Sequence, residues 1–312
     1  MGDVLSGFFT IWFVIGIGWL MAHLKVLDHT AQGVLSKVSF YVGLPALLFS
    51  ALRVAELERI FSLNVIVSAL AIFITLGVYL VLASTLWKRD WGHRVIGGFC
   101  SCYVNANNMG LPIAAYVLQD TSWVAPILLI QVIFLQPVGL SILDALVARR
   151  HGQTTSWWYN VSLPLRNPMT LGVAAGLVAN LLELPLPGLL LGTIDLVAGI
   201  SVPAMLVAFG ISLRTGPLPG RGNVAETISV SALKVIFQPL VGFLLARFVF
   251  GLDPVTTLAV TVMAGLPTAQ NVFVFAMRGD QSVQLARDVI FITSLASIPA
   301  VTAMAAVVNA AF

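Results

Sequence analysis

Residues 105–116 read NANNMGLPIAAY, and this stretch decides the fold. It places three asparagines, a glycine and a proline in a run that is otherwise apolar enough for lipid. An unpaired amide in hydrocarbon is strongly unfavourable, and irregular backbone survives at membrane depth only inside protein or beside a water-filled cavity. The stretch therefore predicts a buried, irregular segment in the middle of a membrane domain.

The composition around this stretch is that of a polytopic membrane protein. Of 312 residues, 59% are hydrophobic and 9% are charged, and the mean hydropathy is +0.98. Soluble domains carry about 25% charged residues. Cys100 and Cys102 are too close together for a disulfide framework and have no metal-ligand spacing. We therefore expect no metal, no cofactor and no nucleic-acid partner, and the lipid bilayer as surroundings.

Hydropathy predicts ten spans, and a polar segment divides them into two halves. The spans are 5–23, 34–52, 62–87, 95–119, 122–147, 168–183, 188–212, 226–250, 255–279 and 286–310. The first apolar run lacks the basic start of a cleavable signal and is long enough to cross the membrane. The predicted units are a first five-helix repeat (1–150), a linker (151–167) and a second five-helix repeat (168–312).

The basic residues predict an orientation. Most of the 16 Lys and Arg residues fall in loops that follow odd-numbered spans. Because cytoplasmic loops are enriched in Lys and Arg, these loops are expected inside. Both termini are then outside and the central loop is cytoplasmic, in a multi-pass protein of the plasma (inner) membrane.

The two halves resemble each other in sequence. LPALLFSALR (44–53) is similar to VPAMLVAFGISLR (202–214), and GLPIAAYVL (110–118) is similar to GLPTAQNVFVF (265–275). Pro45 and Pro203, Pro112 and Pro267, and Pro137 and Pro299 are separated by 155 to 162 residues. Since each repeat has five spans, the second enters the membrane from the opposite side. Inverted repeats of this kind are typical of transporters.

Both Gly-Leu-Pro sequences predict helix breaks. Proline lacks a backbone donor and disfavours helix at the residue before it, so span 4 should break at 108–111 and resume with Pro112 in its first turn. Span 9 should break at 265–267 by the same argument. The N-terminus of each resumed half-helix carries about half a positive charge, and two such ends that meet at mid-membrane would attract an anion.

The amides beside the two breaks are the candidate ligands. The predicted substrate-binding residues are Asn105, Asn107, Asn108, Gly110, Pro112, Pro267, Gln270 and Asn271. Asn105 and Asn271 are the preferred contacts, whereas Asn107 and Asn108 could cap the break instead. Their carboxamides can donate to a carboxylate or accept from a protonated ligand.

Other polar residues within the spans are candidates for support or coupling. These are Pro45, Pro203, Asp144, Asp195 and Lys234. Asp144 could simply pair with Arg149 or Arg150, and Lys234 could serve structure rather than coupling. Gln131, Gln136 and Gln238 are candidates for hydrogen bonds between helices. No catalytic triad, paired carboxylates or phosphate loop is present, so we do not expect an enzyme.

At these residues the chain resembles the auxin efflux carrier family, and in particular its shorter bacterial members. The matching segments are VNANNMGLPIAAYVLQD, AGLPTAQNVFVFA and GLPALLFSALR. The resemblance implies ten helices in two inverted repeats, with broken helices 4 and 9 crossing at the substrate site. It also implies a scaffold and a transport domain, an elevator-like movement, and homodimers formed through the scaffold.

The resemblance also implies a function. Plant members export auxin, and several bacterial members are assigned to malonate, malate or related carboxylates, so we expect a secondary active transporter of a small organic anion. The architecture is similar to that of bile-acid sodium symporters, but neither break contains a carboxylate, which leaves proton or sodium coupling open. The alternatives are a sodium-coupled symporter of a larger amphipathic anion and a receptor that binds without transport.

Overall fold

The computed structural model describes residues 2–55, 63–110, 113–114, 118, 120, 123–150, 167–216 and 222–311. Within these residues the chain is helical apart from turns, short extended segments and an isolated β-bridge. Six of the described helices are long and apolar enough to cross a membrane. The prediction of an all-helical, multi-pass membrane protein is confirmed, while the count of ten spans stays a prediction.

Eleven helical segments within the described residues are numbered here in chain order. They are α1 (Gly2–His23), α2 (His29–Arg53), α3 (Leu63–Thr85), α4 (Trp91–Cys102), α5 (Val124–Ile130, continued by Gln131–Leu135 and Gln136–Arg150), α6 (Pro168–Leu181), α7 (Gly188–Ala198, continued by Ser201–Thr215), α8 (Val224–Val249), α9 (Pro254–Ala264), α10 (Asn271–Gly279) and α11 (Val283–Ala311). Segments of π-helix interrupt α2 at Ser39–Gly43, α5 at Gln131–Leu135 and α8 at Leu233–Phe237, and another, Ala106–Gly110, follows α4 shortly after its end.

Local sequence explains where several helices begin. Asp90, Asn167 and Asp253 accept hydrogen bonds from backbone N–H groups in the first turns of α4, α6 and α9. Proline occupies the first position of α6 and α9, where its missing N–H is not needed. These caps fix the residues at which the three helices begin.

The helices form two groups by their packing. Helices α1, α2, α6 and α7 pack mainly with one another, and α3, α4, α5, α8, α9, α10 and α11 form the second group. We call these the first and the second bundle. In the first bundle the backbones of α1 and α7 lie very close together. A Cβ added at Gly18 would overlap the carbonyl oxygen of Val207, and a Cβ added at Gly210 would overlap that of Ile15. Small residues permit such close crossings of membrane helices.

The first helix interruption starts earlier than the sequence predicts. Helix α4 ends at Cys102, Tyr103 is extended (φ −79°, ψ 111°), and π-helix resumes at Ala106. The predicted break at 108–111 is therefore placed too late, because residues 103–105 are held extended by the backbone of the second interruption. Helix α9 ends at Ala264 and α10 begins at Asn271, an interval that includes the predicted 265–267.

Candidate functional site

The two interruptions meet and pair through their backbones. Val104 and Thr268 form an antiparallel β-bridge. The N–H of Asn105 donates to the carbonyl oxygen of Pro267 (2.9 Å), and the N–H of Ala269 donates to that of Tyr103 (3.2 Å). Because each segment lacks helical partners at this point, the pairing satisfies groups that would otherwise be exposed in an apolar interior.

Side chains from neighbouring helices complete this crossing. Gln131 on α5 accepts from the N–H of Val104 and donates to its carbonyl oxygen (3.0 Å). The hydroxyl of Thr268 donates to the carbonyl oxygen of Cys100 (2.6 Å), and its N–H donates to the hydroxyl of Thr293 (3.2 Å). Gln131, Thr268 and Thr293 are buried. The backbone groups of Val104, Asn105, Thr268 and Ala269 named here are thus paired to specific partners, which makes the crossing a fixed element.

Three predicted amides lie together at the crossing. The side-chain nitrogen of Asn105 donates to the side-chain oxygen of Gln270 (2.6 Å), which joins the two interruptions by a second kind of contact. The side-chain oxygen of Asn271 is buried and accepts no hydrogen bond from the described residues. An unsatisfied buried acceptor is unfavourable, so it favours a ligand or water that can donate to it.

A small cavity lies between these amides and the first bundle. The space open to the centres of water-sized molecules is about 50 Å³. Its wall on the side of the first bundle is apolar, and its other wall carries the amides of the crossing. The lining residues are Leu44, Leu47, Leu48 and Ala51 of α2, Met169 of α6, Val202 and Met205 of α7, Leu128, Gln131 and Val132 of α5, and residues 103–106 and 269–271.

The cavity is mostly apolar, with polar groups on one wall and no charged side chain among the residues described as lining it. Its electrostatic character therefore comes from amide dipoles and from backbone. Helix α10 starts at Asn271, so its N-terminal end, with about half a positive charge, lies at the cavity. This arrangement suits a small ligand that carries negative charge and accepts hydrogen bonds, together with a hydroxyl, a protonated carboxyl or a water that donates to the side-chain oxygen of Asn271.

Comparison with known proteins identifies the family. The family model described as "Membrane transport protein" matches residues 3–153 and 159–305. The chain belongs to this family. This confirms the resemblance to auxin efflux carriers, and it makes the protein a transporter and not an enzyme.

Two relatives of this membrane transport protein are similar over most of their length. A protein of Rhizobium meliloti named "Putative malonate transporter" is 26% identical over 299 residues, which cover 93% of this chain and 91% of the relative. An "Uncharacterized transporter" of Methanothermobacter thermautotrophicus is 25% identical over 295 residues, which cover 90% of this chain and 91% of the relative.

Of the other predicted binding residues of this transport protein, Pro267 and Gly110 lie beside the crossing and are not among the residues that line the cavity. The carbonyl oxygen of Pro267 belongs to the backbone pairing, and Gly110 is buried against Met263 and Leu266. Asn107 and Asn108 belong to the π-helical segment Ala106–Gly110, and their side chains are outside the described part of the structure, as is the whole of Pro112.

The residues predicted for support or coupling are spread over the transport protein. The carbonyl oxygen of Pro45 packs against Gly172 of α6. Pro203 lines a separate groove with Asp28 and Val207. Asp195 is exposed and accepts from the hydroxyl of Ser50 (2.6 Å). None of these three lines the cavity.

Asp144 pairs differently from the prediction. Its carboxylate forms an ion pair with Arg278 at the end of α10, where the sequence suggested Arg149 or Arg150. The guanidinium of Arg278 also lies 4.4 Å from the ring centre of Phe40 on α2. The sequence could not predict this partner, because residues 144 and 278 are far apart in the chain and meet only through the packing of α5 against α10.

Sequence reasoning missed Tyr103 and Thr268 as parts of the site. Tyr103 lines the cavity and donates from its hydroxyl to the side-chain oxygen of Gln136 (3.1 Å). Their positions in the sequence could have indicated a role in the site. Tyr103 lies two residues before the asparagine-rich run, and Thr268 directly follows the proline of the second interruption. In a membrane helix, however, both residue types also occur without a special role.

Proposed function

We propose that this protein is a secondary active transporter of a small organic anion, most simply a carboxylate such as malonate or malate or an auxin-like acid. The observation that supports this most directly is the cavity where the two helix interruptions cross, with Asn105, Gln270 and Asn271 at its wall. Amide donors and a half-helix N-terminus provide a favourable place for a carboxylate. The name of the Rhizobium relative makes malonate the first substrate to test.

The size of the cavity favours a small substrate over the alternative of a larger amphipathic anion. About 50 Å³ of space for water-sized molecules matches a ligand of few atoms. A bile-acid-sized molecule would need the bundles to separate. A receptor that does not transport is less well supported, because the whole matched length belongs to a transport family.

The position of the cavity supports an elevator-like mechanism. One wall belongs to the first bundle and is apolar, and the other is the crossing, which belongs to the second bundle. We infer that the second bundle carries the substrate past the first, which acts as the scaffold. A smooth apolar wall makes this sliding possible, because few polar contacts have to be exchanged.

The proposal includes the arrangement in the membrane. We infer ten helices in two inverted repeats, 1–150 and 168–312, joined by the linker 151–167 on the cytoplasmic side, with both termini outside. No cofactor is part of the proposed mechanism, and the candidates for the coupling ion are a proton and sodium.

Replacing the amides tests the site. In proteoliposomes on a solid-supported membrane, malonate, malate and indole-3-acetate jumps are applied with and without sodium and with a pH gradient. We expect a saturable current from the wild-type protein. For Asn271→Ala and Asn105→Ala we expect the half-saturating concentration to rise at least about tenfold, because a lost hydrogen bond to a charged group is worth about 1.5–3 kcal/mol.

The matched control is Asn64→Ala, an asparagine in the first turn of α3 that does not line the cavity. Its half-saturating concentration should equal that of the wild type. Wild-type affinity in both cavity variants would remove the crossing amides from the proposed site. No response to any of the three acids would contradict the proposed substrate class.

The first bundle also supports the proposal of a homodimer. On the first part of α7, Leu189 is 87% exposed and Leu196 is 78% exposed, and the carboxylate of Asp195 lies exposed between them and α2. A carboxylate that faces lipid is unfavourable. A second copy of the chain would cover this surface and shield the carboxylate.

Cysteine crosslinking tests the dimer. Because Cys100 and Cys102 are buried, a cysteine added at Leu196 is the reactive one. Under mild oxidation in membranes, Leu196→Cys should give a disulfide-linked dimer. Phe248→Cys, on a 70% exposed residue of α8 in the second bundle, should remain monomeric. Equal crosslinking of both variants, or none in either, would contradict an interface at α7.

A further inference from the structure

A crevice lies on the outer surface of the second bundle, between α3, α4 and α5. About 350 Å³ of it is open to the centres of water-sized molecules, against about 50 Å³ in the cavity at the crossing. Among the described residues, none lines both spaces. Phe73, Phe134 and Val138 on the rim of the crevice are exposed, and all three belong to apolar helices, so the crevice opens sideways to the membrane.

The crevice runs from the membrane surface towards mid-membrane. Phe134 lies on the same π-helical segment as Gln131, which contacts the crossing, and Ile142 lies eight residues further towards the end of α5. On α4, Trp91 and Arg94 occupy the first turn, and the helix runs from there to the crossing. Eight helical residues rise about 12 Å, and half of the hydrocarbon layer is about 15 Å thick. The crevice therefore has about the length of one acyl chain within one leaflet.

Arg94 is the one charged residue among those described as lining the crevice. Its Nε donates to the carbonyl oxygen of Arg89 (2.6 Å), its guanidinium lies 5.2 Å from the ring centre of Trp91, and it forms no ion pair with a described residue. A guanidinium stays protonated in proteins, so its charge is permanent. A cation beside an apolar space favours a counterion there, and the planar guanidinium matches two oxygens of a phosphate.

We propose that this crevice is a binding site for an anionic phospholipid, with one acyl chain between α3, α4 and α5 and the phosphate on Arg94. The open side of the crevice lets the second acyl chain remain in the surrounding bilayer. Trp91 at the mouth suits the level of the headgroups, where tryptophan is enriched. The inference is independent of the proposed function, because it concerns a membrane lipid and not the transported solute.

The aromatic ring of Phe99 connects the crevice with the crossing. Phe99 lines the crevice, and its ring centre lies 5.6 Å from that of Tyr103, which lines the cavity. The ring lies close against the backbone of α5, since a Cβ added at Gly139 would overlap it. An acyl chain in the crevice packs on the lipid side of Phe99 and holds its ring against Tyr103. The bound lipid should therefore stabilise the second bundle.

Lipid retention tests the contact with the headgroup. The full-length protein is purified in mild detergent, incubated with equal amounts of phosphatidylglycerol and phosphatidylcholine, and examined by native mass spectrometry. We expect the wild type to retain phosphatidylglycerol in excess, and Arg94→Gln to lower this excess about tenfold, because a charged hydrogen-bonding partner is lost. Arg94→Lys keeps the charge and should keep most of the excess.

The matched control is Lys88→Gln, which removes one positive charge from the turn before α4 at an exposed residue outside the crevice. It should retain phosphatidylglycerol like the wild type. An equal loss in Lys88→Gln and Arg94→Gln would mean that the lipid responds to the general surface charge, and this result would overturn the site. Adducts with the mass of a fatty acid in place of a phospholipid would overturn the proposed ligand.

A second pair of variants tests the place of the acyl chain. Val138→Trp puts a large side chain on the rim of the crevice, whereas Val81→Trp makes the same change at an exposed residue of α3 outside it. Retention of phosphatidylglycerol should fall in Val138→Trp and not in Val81→Trp. Equal retention in both variants would overturn the placement of the chain between α3, α4 and α5.

Thermal stability gives a readout that requires neither detergent-retained lipid nor substrate. A ligand that binds the folded protein raises its melting temperature. In nanodiscs the wild type and Lys88→Gln should melt at a higher temperature with phosphatidylglycerol present than with phosphatidylcholine alone, and this difference should disappear in Arg94→Gln and Val138→Trp. The same difference in all four proteins would overturn the proposal, whether or not malonate proves to be a substrate.

Discussion

Replacement of Gln131 by leucine is expected to reduce transport about 100-fold. In the native protein the Gln131 carboxamide pairs with both polar groups of the Val104 peptide unit. Leucine leaves a buried N–H and a buried carbonyl without these partners, at about 1–3 kcal/mol each, and a factor of ten corresponds to about 1.4 kcal/mol. Because Val104 is also bridged to Thr268, the loss should reach both interruptions. Labelled malonate uptake into proteoliposomes measures it.

The control for this change is Gln32→Leu. Gln32 is also buried, but its side-chain nitrogen donates to the sulfur of Met277, outside the crossing. Its uptake should stay within a few-fold of wild type when both variants are reconstituted at equal amounts of folded protein. If Gln131→Leu transports as well as Gln32→Leu does, the crossing does not depend on the α5 glutamine.

The second large effect is on folding, at the contact of α1 with α7. Gly18→Leu adds a side chain where the backbone of Val207 already lies, and backbone cannot turn away as a side chain can. Overpacking typically costs about 1–3 kcal/mol, and here the helices would have to separate along the first bundle. We expect little folded protein, measured by fluorescence-detected size-exclusion chromatography, and a melting temperature well below that of wild type.

Gly16→Leu is the matched control, because Gly16 is in the same helix and a Cβ there meets nothing within 4 Å. This variant should elute and melt like the wild type. Similar losses in both variants would mean that leucine disturbs α1 through membrane insertion and not through its contact with α7.

The general architecture was predictable because it depends on local properties of the sequence. Long apolar segments, capping residues such as Asp90 and Asn167, and the Gly-Leu-Pro sequence at 265–267 each act within a few residues. The amides were predictable for a related reason: an asparagine in an apolar run is unfavourable without a partner. Three of them, Asn105, Gln270 and Asn271, line the cavity in the structure.

The details that were wrong or missed depend on contacts between distant parts of the chain. The first interruption starts at Tyr103 because residues near 268 pair with it, and no local signal in the sequence marks that position. Asp144 finds Arg278 for the same reason. The buried Lys234 donates to the carbonyl oxygen of Ala264 at the end of α9 (2.8 Å), a contact that needs the packing of α8 against α9, so hydropathy alone gave only an unusual lysine within an apolar segment.

The backbone pairing between the two interruptions has a consequence for how the carrier discriminates between solutes. The N–H groups of Asn105 and Ala269 tie the halves of the crossing together, so the amides of the proposed binding site form one rigid unit. In the proposed elevator-like movement this unit moves as a whole and presents the same amides to the cell interior and to the exterior. Import and export should then obey one rank order of solutes, and the direction of net flux would be decided by the gradients and not by the protein.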